Sequence, residues 1–250
     1  MKIELYNDNF QNYKAYNVPT KAQLLIADIP YNIGSKDAYG SNPQIWKDKK
    51  VGGEYSEKYN KAFFKTDTNF NIAEFFHFAT KMLKAEPKGV NEAPVMIIFC
   101  AYQQLATVAE YGKKNGFKKS YPLYFIKRNS PQVLKVNVKI LGAVETGLLL
   151  YRDKLPKFRN EGRMVLNWFE FSLNEKPRIH PTQKPVSMLK KLIRLFTDEG
   201  DTVIDPVAGS GSTLRACMEL NRNCYGFEVD KKYCREAREK MLKNVMTEMF

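Results

Sequence analysis

The chain has 250 residues, 44% of them hydrophobic and 13% aromatic, with a formal net charge of +13 and a pI near 9.4. This length suits one main domain with an inserted lobe and excludes several large independent domains. No apolar run is long enough to span a bilayer, and the strong positive charge implies a polyanionic partner such as nucleic acid or an acidic membrane surface.

The N-terminus Met1-Lys2-Ile3-Glu4-Leu5 lacks the apolar core of a secretory signal, so the expected location is the cytoplasm. The four cysteines (Cys100, Cys217, Cys224, Cys234) are therefore expected to be reduced and free. They form no Cys-x-x-Cys pair, and with only His77 and His180 to join them no metal site is expected.

A first strand is predicted over 22–27, and its apolar run Leu24-Leu25-Ile26-Ala27 ends in Asp28-Ile29-Pro30-Tyr31. A carboxylate, a proline-shaped backbone and an aromatic ring at a strand's carboxyl end can together hold a planar amine. Residues 32–61 are polar and rich in Gly, Ser, Asn, Lys and Tyr, which reads as a mobile functional loop. Tyr39 and Trp46 in it are candidates to close over a bound base. A helix follows over 71–83, where His77 sits among Phe75, Phe76 and Phe78 and reads as a packed or half-exposed imidazole rather than a ligand. A strand over 94–100 and a helix over 103–114 come next.

Residues 113–163 carry 13 basic against 3 acidic side chains, which is +10 of the +13. Such local excess is as compatible with a nucleic-acid surface as with a solvated face. Strands are predicted at 121–126 and 146–151, and the stretch from about 127 to 177 reads as a lobe inserted into the sheet domain. The helix over 186–196 places Val186, Leu189, Ile193 and Phe196 on one face for packing on the sheet.

A strand over 202–205 then runs into Asp205-Pro206-Val207-Ala208-Gly209-Ser210-Gly211-Ser212 and a helix over 212–220. Strand, glycine turn and helix start form the nucleotide-binding corner of a Rossmann-like sheet, where free N–H groups and the helix dipole suit a carboxylate or phosphate. The next strand, over 224–228, ends in Glu228, at the distance where an acid meets ribose hydroxyls. Leu214 stands where a dinucleotide site has its third glycine. An adenosine ligand without pyrophosphate is therefore favoured over NAD, and S-adenosyl-L-methionine fits, with its carboxylate by the turn and its ribose at Glu228. A last helix is predicted over 231–243. Strands alternating with helices make the fold class α/β, a largely parallel sheet with helices on both faces.

Taken together these motifs resemble the β class of amino-methylating DNA methyltransferases, which act on adenine N6 or cytosine N4. Asp28-Ile29-Pro30-Tyr31 matches the family's catalytic motif with Ile29 in place of its first proline. His180-Pro181-Thr182-Gln183-Lys184-Pro185 matches a cofactor-side motif, and the glycine turn matches with Val207 in place of Phe. Asn7-Asp8-Asn9-Phe10 is similar to a degenerate adenine-holding element. Catalytic motif first and cofactor motif last is the β order. The resemblance implies a catalytic half at 1–112, a target-recognition region at 113–177 and a cofactor half at 178–250. It implies that Asp28, Ile29, Pro30 and Tyr31 are catalytic, and that Asp8, Thr182, Lys184, Asp205, Pro206, Gly209, Gly211, Ser212 and Glu228 bind cofactor, Lys184 near its carboxylate or methionine end.

The function so implied is transfer of a methyl group from S-adenosyl-L-methionine to adenine N6 in DNA, the base being flipped out or presented single-stranded. Asp28 and the Ile29 carbonyl would accept the amine hydrogens and Tyr31 would stack on the base. Cytosine-N4 methylation and a non-catalytic DNA-binding protein with a decayed fold are the alternatives. A homodimer and a cognate restriction endonuclease are the further partners that the resemblance raises.

Overall fold

The computed structural model describes residues 1–30, 70–128, 133–135, 140–180 and 182–243. Tyr31, the 32–61 stretch with Tyr39 and Trp46, and Pro181 lie outside them. Among the described residues eight strands form one mixed sheet in the order β1 (Ile3–Tyr6), β10 (Asn223–Phe227), β9 (Thr202–Asp205), β2 (Leu24–Asp28), β3 (Val95–Cys100), β7 (Val144–Tyr151), β4 (Lys119–Lys127), β8 (Trp168–Phe171). From β1 to β3 neighbours are parallel; β7 is antiparallel to both β3 and β4, and β8 is parallel to β4. The backbones of β5 (Val133–Lys135) and β6 (Ile140–Leu141) form a separate antiparallel pair between β4 and β7.

Side chains of a strand alternate between its two faces, and here each set meets a different helix layer. Leu24, Ile26, Val95, Ile97 and Phe99 join the core under α3 (Val186–Phe196), α4 (Ser212–Glu219) and α5 (Lys231–Glu236). Leu25, Ala27, Met96, Ile98 and Cys100 join the core under α1 (Ile72–Met82) and α2 (Leu105–Lys114). Helix starts follow local chemistry: the Asn71 carboxamide accepts from the Ala73 and Glu74 N–H groups at α1, and the Asp230 carboxylate caps α5. The predicted last helix continues past Glu236 as a π-helical segment, Ala237–Leu242.

Strands β1 and β8 were not expected from sequence. Both are four-residue edge strands with partly exposed residues, so neither carries a continuous apolar run. Pro122 inside β4 is tolerated because β8 pairs with β4 only from Tyr124 onward. Pro122 shares the orientation of Tyr124, whose N–H donates toward the β8 side, so its missing N–H faces a position that no strand occupies.

The target-recognition region expected over 113–177 is anchored in this sheet, to which it contributes β4, β7 and β8. Part of its basic excess is engaged within the fold. Lys157, only 8% exposed, lies at the amino ends of the parallel strands, where Nζ meets Asp198 and Asp201 at 2.7 Å each. Arg159 pairs with Glu92 and Asp198, Lys118 with Asp153, and Arg152 donates to the Lys84 carbonyl. Lys157 and Arg159 serve the fold because the β7–β8 connection packs against Glu92, Asp198 and Asp201 there, at the edge opposite the candidate site, whereas the Lys118–Asp153 pair is more than half exposed. Among the described residues no helix is long and apolar enough to cross a membrane.

Candidate active site at the carboxyl edge of the sheet

The β9→α4→β10 and β2→α1→β3 units run away from each other, so the adjacent strands β9 and β2 mark a topological switch point. A ligand crevice opens at the carboxyl ends of such strands. Asp205 ends β9 and Asp28 ends β2.

The backbone after β2 is held from β3. The Ile29 N–H donates to the Phe99 carbonyl at 3.1 Å, and the buried Ile29 side chain packs in the α1-side core. The Gln104 carboxamide donates to the Pro30 carbonyl at 3.1 Å while its oxygen accepts from the Ala101 N–H at 3.0 Å. Gln104 thus ties the Asp28-Ile29-Pro30 segment to the end of β3, a role with no local signature in the sequence.

Asp28 continues the Leu24–Ile26 row onto the α3 side, and Lys184, just before α3, reaches it. Lys184 Nζ lies 2.6 Å from Asp28 Oδ2 and 3.1 Å from Glu145 Oε2, and Lys127 Nζ lies 2.8 Å from Glu145 Oε1. Lys127 and Glu145 extend the inward rows of β4 and β7, so four charges of alternating sign line one face of four adjacent strands. Lys184 crosses above the Phe99 ring at 5.0 Å. The geometry therefore puts its ammonium at the expected catalytic carboxylate.

Burial pushes the Asp28 carboxyl above its ordinary value; Lys184 opposes this and Glu145 reinforces it. Burial pushes Glu145 up as well, but Lys184 and Lys127 outweigh it and hold Glu145 below the usual carboxylate range. Among the described residues Asp28 Oδ1 is sealed from solvent and finds no hydrogen-bond partner, although the side chain as a whole keeps 29% of its surface; Glu145 Oε2 is likewise without a hydrogen bond and meets Lys184 only as an ion pair. A buried acceptor left without a donor is unusual in a native structure and marks a place for a ligand's hydrogen. Sequence reading missed Glu145 and Lys127 because they counted only as members of a charged stretch. Their signal was a charge on the inward-facing parity of an otherwise apolar strand.

The second half of the site surrounds the glycine turn. Gly209 (φ 51°) and Gly211 (φ 77°) adopt left-handed conformations. Space around Gly209 is open, whereas a Cβ on Gly211 would lie 3.2 Å from that of Ala237. Among the described residues no side chain caps α4, so its first-turn N–H groups are available to a ligand. Pro206 is buried, and the Ser212 hydroxyl is buried against that of Ser210 at 2.8 Å. The missing third glycine has a counterpart on the strand. A Cβ at Gly226 of β10 would come within 2.7 Å of Leu214 Cδ1 and 3.1 Å of Ala208 Cβ, so the strand, not the helix, makes room for close packing.

Glu228 Oε2 accepts from the Gly209 N–H and Oε1 from the Asp230 N–H, both at 2.7 Å, and each oxygen retains a further lone pair. Asp8 is engaged locally by the Asn9 N–H, the Asn12 amide and the Tyr16 hydroxyl, which organise the turn after β1. The Thr182 hydroxyl lies 3.0 Å from His180 Nδ1, and the His180 ring meets Tyr233 edge-on at 4.5 Å. Burial, helped by Lys184, lowers the His180 pKa to about 4, so the imidazole is neutral at pH 7.

Asp205 accepts from the Val207 N–H at 3.1 Å, and burial raises its pKa to about 7. A folded carboxyl that keeps its proton where the unfolded chain has lost it makes stability fall as pH rises, here between about 4 and about 7. Asp205→Asn is expected to flatten part of that slope. Thermal unfolding of the ligand-free proteins across this range checks it, and identical slopes would remove the assignment.

The sequence pattern of a DNA methylase family, the N6/N4 group, matches residues 22–239. The chain is 38% identical to the Type II methyltransferase M.HpaI of Haemophilus parainfluenzae, a match covering 87% of this chain and 67% of that protein. Among solved structures, M1.HpyAVI in complex with SAM superposes with a TM-score of 0.67 at 21% identity, covering 95% of this chain and 98% of that one. The cytosine-N4-specific PvuII DNA methyltransferase also gives 0.67, at 18% identity over 94% and 84% of the two chains. At such identities the likeness is one of fold.

Proposed function

Because the chain belongs to the N6/N4 DNA methylase family, we propose that it transfers a methyl group from S-adenosyl-L-methionine to the exocyclic N6 amine of adenine in DNA. The observation that carries this reading is Asp28, held on Oδ2 by Lys184 while Oδ1 has no donor among the described residues, at the same sheet edge as the glycine turn.

The turn fits the cofactor. Gly209 borders open space, α4 offers uncapped N–H groups to a carboxylate, and Glu228 keeps lone pairs for ribose hydroxyls. Asp205 would favour a cationic group beside it. When bound, the cofactor supplies an electrophilic methyl on a sulfonium. The chain's own task is the acceptor. An exocyclic amine is a poor nucleophile because its lone pair is delocalised into the ring. Asp28 and the Ile29 carbonyl, accepting the two amine hydrogens, would draw the nitrogen toward tetrahedral geometry and aim its lone pair, which is preorganisation combined with positioning. No metal is required by this chemistry. A base within a duplex cannot reach the floor of such a cleft, so it would be extruded or taken from a single strand.

DNA would approach the carboxyl edge, where the segment between β4 and β7 and the residues before α3 emerge. Lys157 and Arg159 at the amino edge are already committed to acidic partners. Aspartate at the first motif position supports adenine through the family resemblance, and the PvuII enzyme's fold keeps cytosine N4 as the second reading. Incubating purified protein with DNA and labelled cofactor, then analysing the nucleosides by mass spectrometry, is expected to yield N6-methyladenine. N4-methylcytosine instead would sink the adenine assignment alone. Cofactor binding without transfer to any DNA would support a decayed enzyme.

A further inference from the structure

We propose that Glu145 is a positioning residue for methyl transfer: by sharing the Lys184 ammonium with Asp28, it keeps Lys184 from closing wholly onto the carboxylate that must receive the base amine. This rests on the role of Asp28 proposed above.

Register places the parts. Asp28 on β2, Phe99 on β3 and Gly147 on β7 form one row across the sheet, and Glu145 lies one inward position beyond Gly147, toward the carboxyl edge. Lys184 spans the gap between the two carboxylates above the Phe99 ring. Gly147 keeps that gap shallow: a Cβ there would meet the Ile98 carbonyl oxygen at 2.9 Å and the Phe125 ring at 3.3 Å. Lys127 holds the outer oxygen of Glu145 at 2.8 Å, so Glu145 is itself fixed.

The cluster contains two ammonium and two carboxylate groups and is electrically balanced. An ammonium held by one carboxylate in a poorly solvated site is a stronger donor than a neutral base amine. Without Glu145, Lys184 would have Asp28 as its remaining carboxylate in the cluster and would compete with the amine for it. Hydrogen-bonded to Asp28 Oδ2 and held back by the ion pair with Glu145 Oε2, Lys184 orients Asp28 through one oxygen and leaves Oδ1 to the substrate. The charged or titratable groups that bear on Asp28 are Lys184 before α3, Glu145 on β7, Lys127 on β4, Asp205 on β9 and Cys100 on β3.

Single-turnover methylation across a pH series tests this with Glu145→Gln and with the double variant Lys127→Met/Glu145→Gln. Glu145→Gln is expected to slow transfer by roughly tenfold or more while cofactor affinity stays parental. Its acid limb should move to lower pH, because the negative charge that raises Asp28 is gone and Lys184 leans further onto it. The double variant removes the cation stranded by the first change and restores thermal stability, yet it should remain slow, with its acid limb below the parent's. A parental rate and unmoved limb in Glu145→Gln would overturn the proposal. So would a double variant that regains both, since charge balance would then be the whole effect. A parent that transfers no methyl group to DNA, or an Asp28→Ala protein as active as the parent, would sink the Asp28 reading and this inference with it. Unaltered Glu145 variants beside an active parent and a dead Asp28→Ala sink the inference alone.

Discussion

Asp28→Ala is expected to leave cofactor binding at the parental level and to slow methyl transfer by about a thousandfold. Binding should survive because Asp28 lies at the end of β2, across the switch point from the glycine turn, and donates or accepts no hydrogen bond with Gly209, Gly211 or Glu228. Transfer should fail because the loss falls on the amine. With no carboxylate to accept its hydrogens, the nitrogen stays planar and its lone pair stays in the ring. Fold stability should change less than rate, since Lys184 keeps Glu145 as a partner. Cofactor titration followed by labelled-methyl transfer separates these effects. Transfer at the parental rate would remove Asp28 from the reaction, and loss of cofactor binding would reassign it to the other half of the site.

Lys184→Met is expected to have the second largest effect and to act on both stability and rate. The Lys184 side chain is 7% exposed and its ammonium sits between two carboxylates. Removing one partner of a buried pair costs about 3 kcal/mol, which for a chain of this size lowers the melting temperature by roughly 10 °C. The pH dependence gives the cause. The folded Asp28 carboxyl is already raised by burial, and Lys184 is the first influence opposing that rise. Without it Asp28 holds its proton to higher pH, so the deficit should be smallest in acid, where Asp28 is neutral, and should grow as pH climbs. Transfer needs the ionised form, so the acid limb of the rate should move up, opposite to the shift expected for Glu145→Gln. Melting curves and single-turnover rates over one pH series measure both. A deficit that does not vary with pH, beside an unmoved limb, would make Lys184 a packing residue only.

Much of the chain's architecture was legible in its order of residues. Apolar runs predicted β2, β3, β9 and β10 because strands buried on both faces are continuous in hydrophobicity. The apolar stripe of 186–196 coincides with α3, Val186–Phe196, residue for residue. Asp205 through Ser212 folds as the strand, glycine turn and helix start that its glycines imply, with both glycines in left-handed backbone. These are local properties: each depends on residues a few positions apart, and a strand end or tight turn has the same chemistry wherever the fold places it.

What sequence alone left open is everything decided by which strand lies beside which. Basic residues between 113 and 163 read as one charged surface, yet Lys157 and Arg159 are drawn to acidic turns at the amino edge while Lys127 enters the site. The third glycine of the turn looked absent, and its packing role turned out to belong to Gly226 on the neighbouring strand. Asp28 and Lys184 are 156 residues apart in the chain and 2.6 Å apart in space. Composition and motif could name both residues, but their pairing, and the presence of Glu145 between Lys184 and Lys127, follows from the order β2-β3-β7-β4 and the alternation of side chains across it. Sequence determined the chemical groups available and the local turns that present them. Tertiary structure decided which charges share a face, because Coulomb interaction and burial depend on distance through space rather than along the chain.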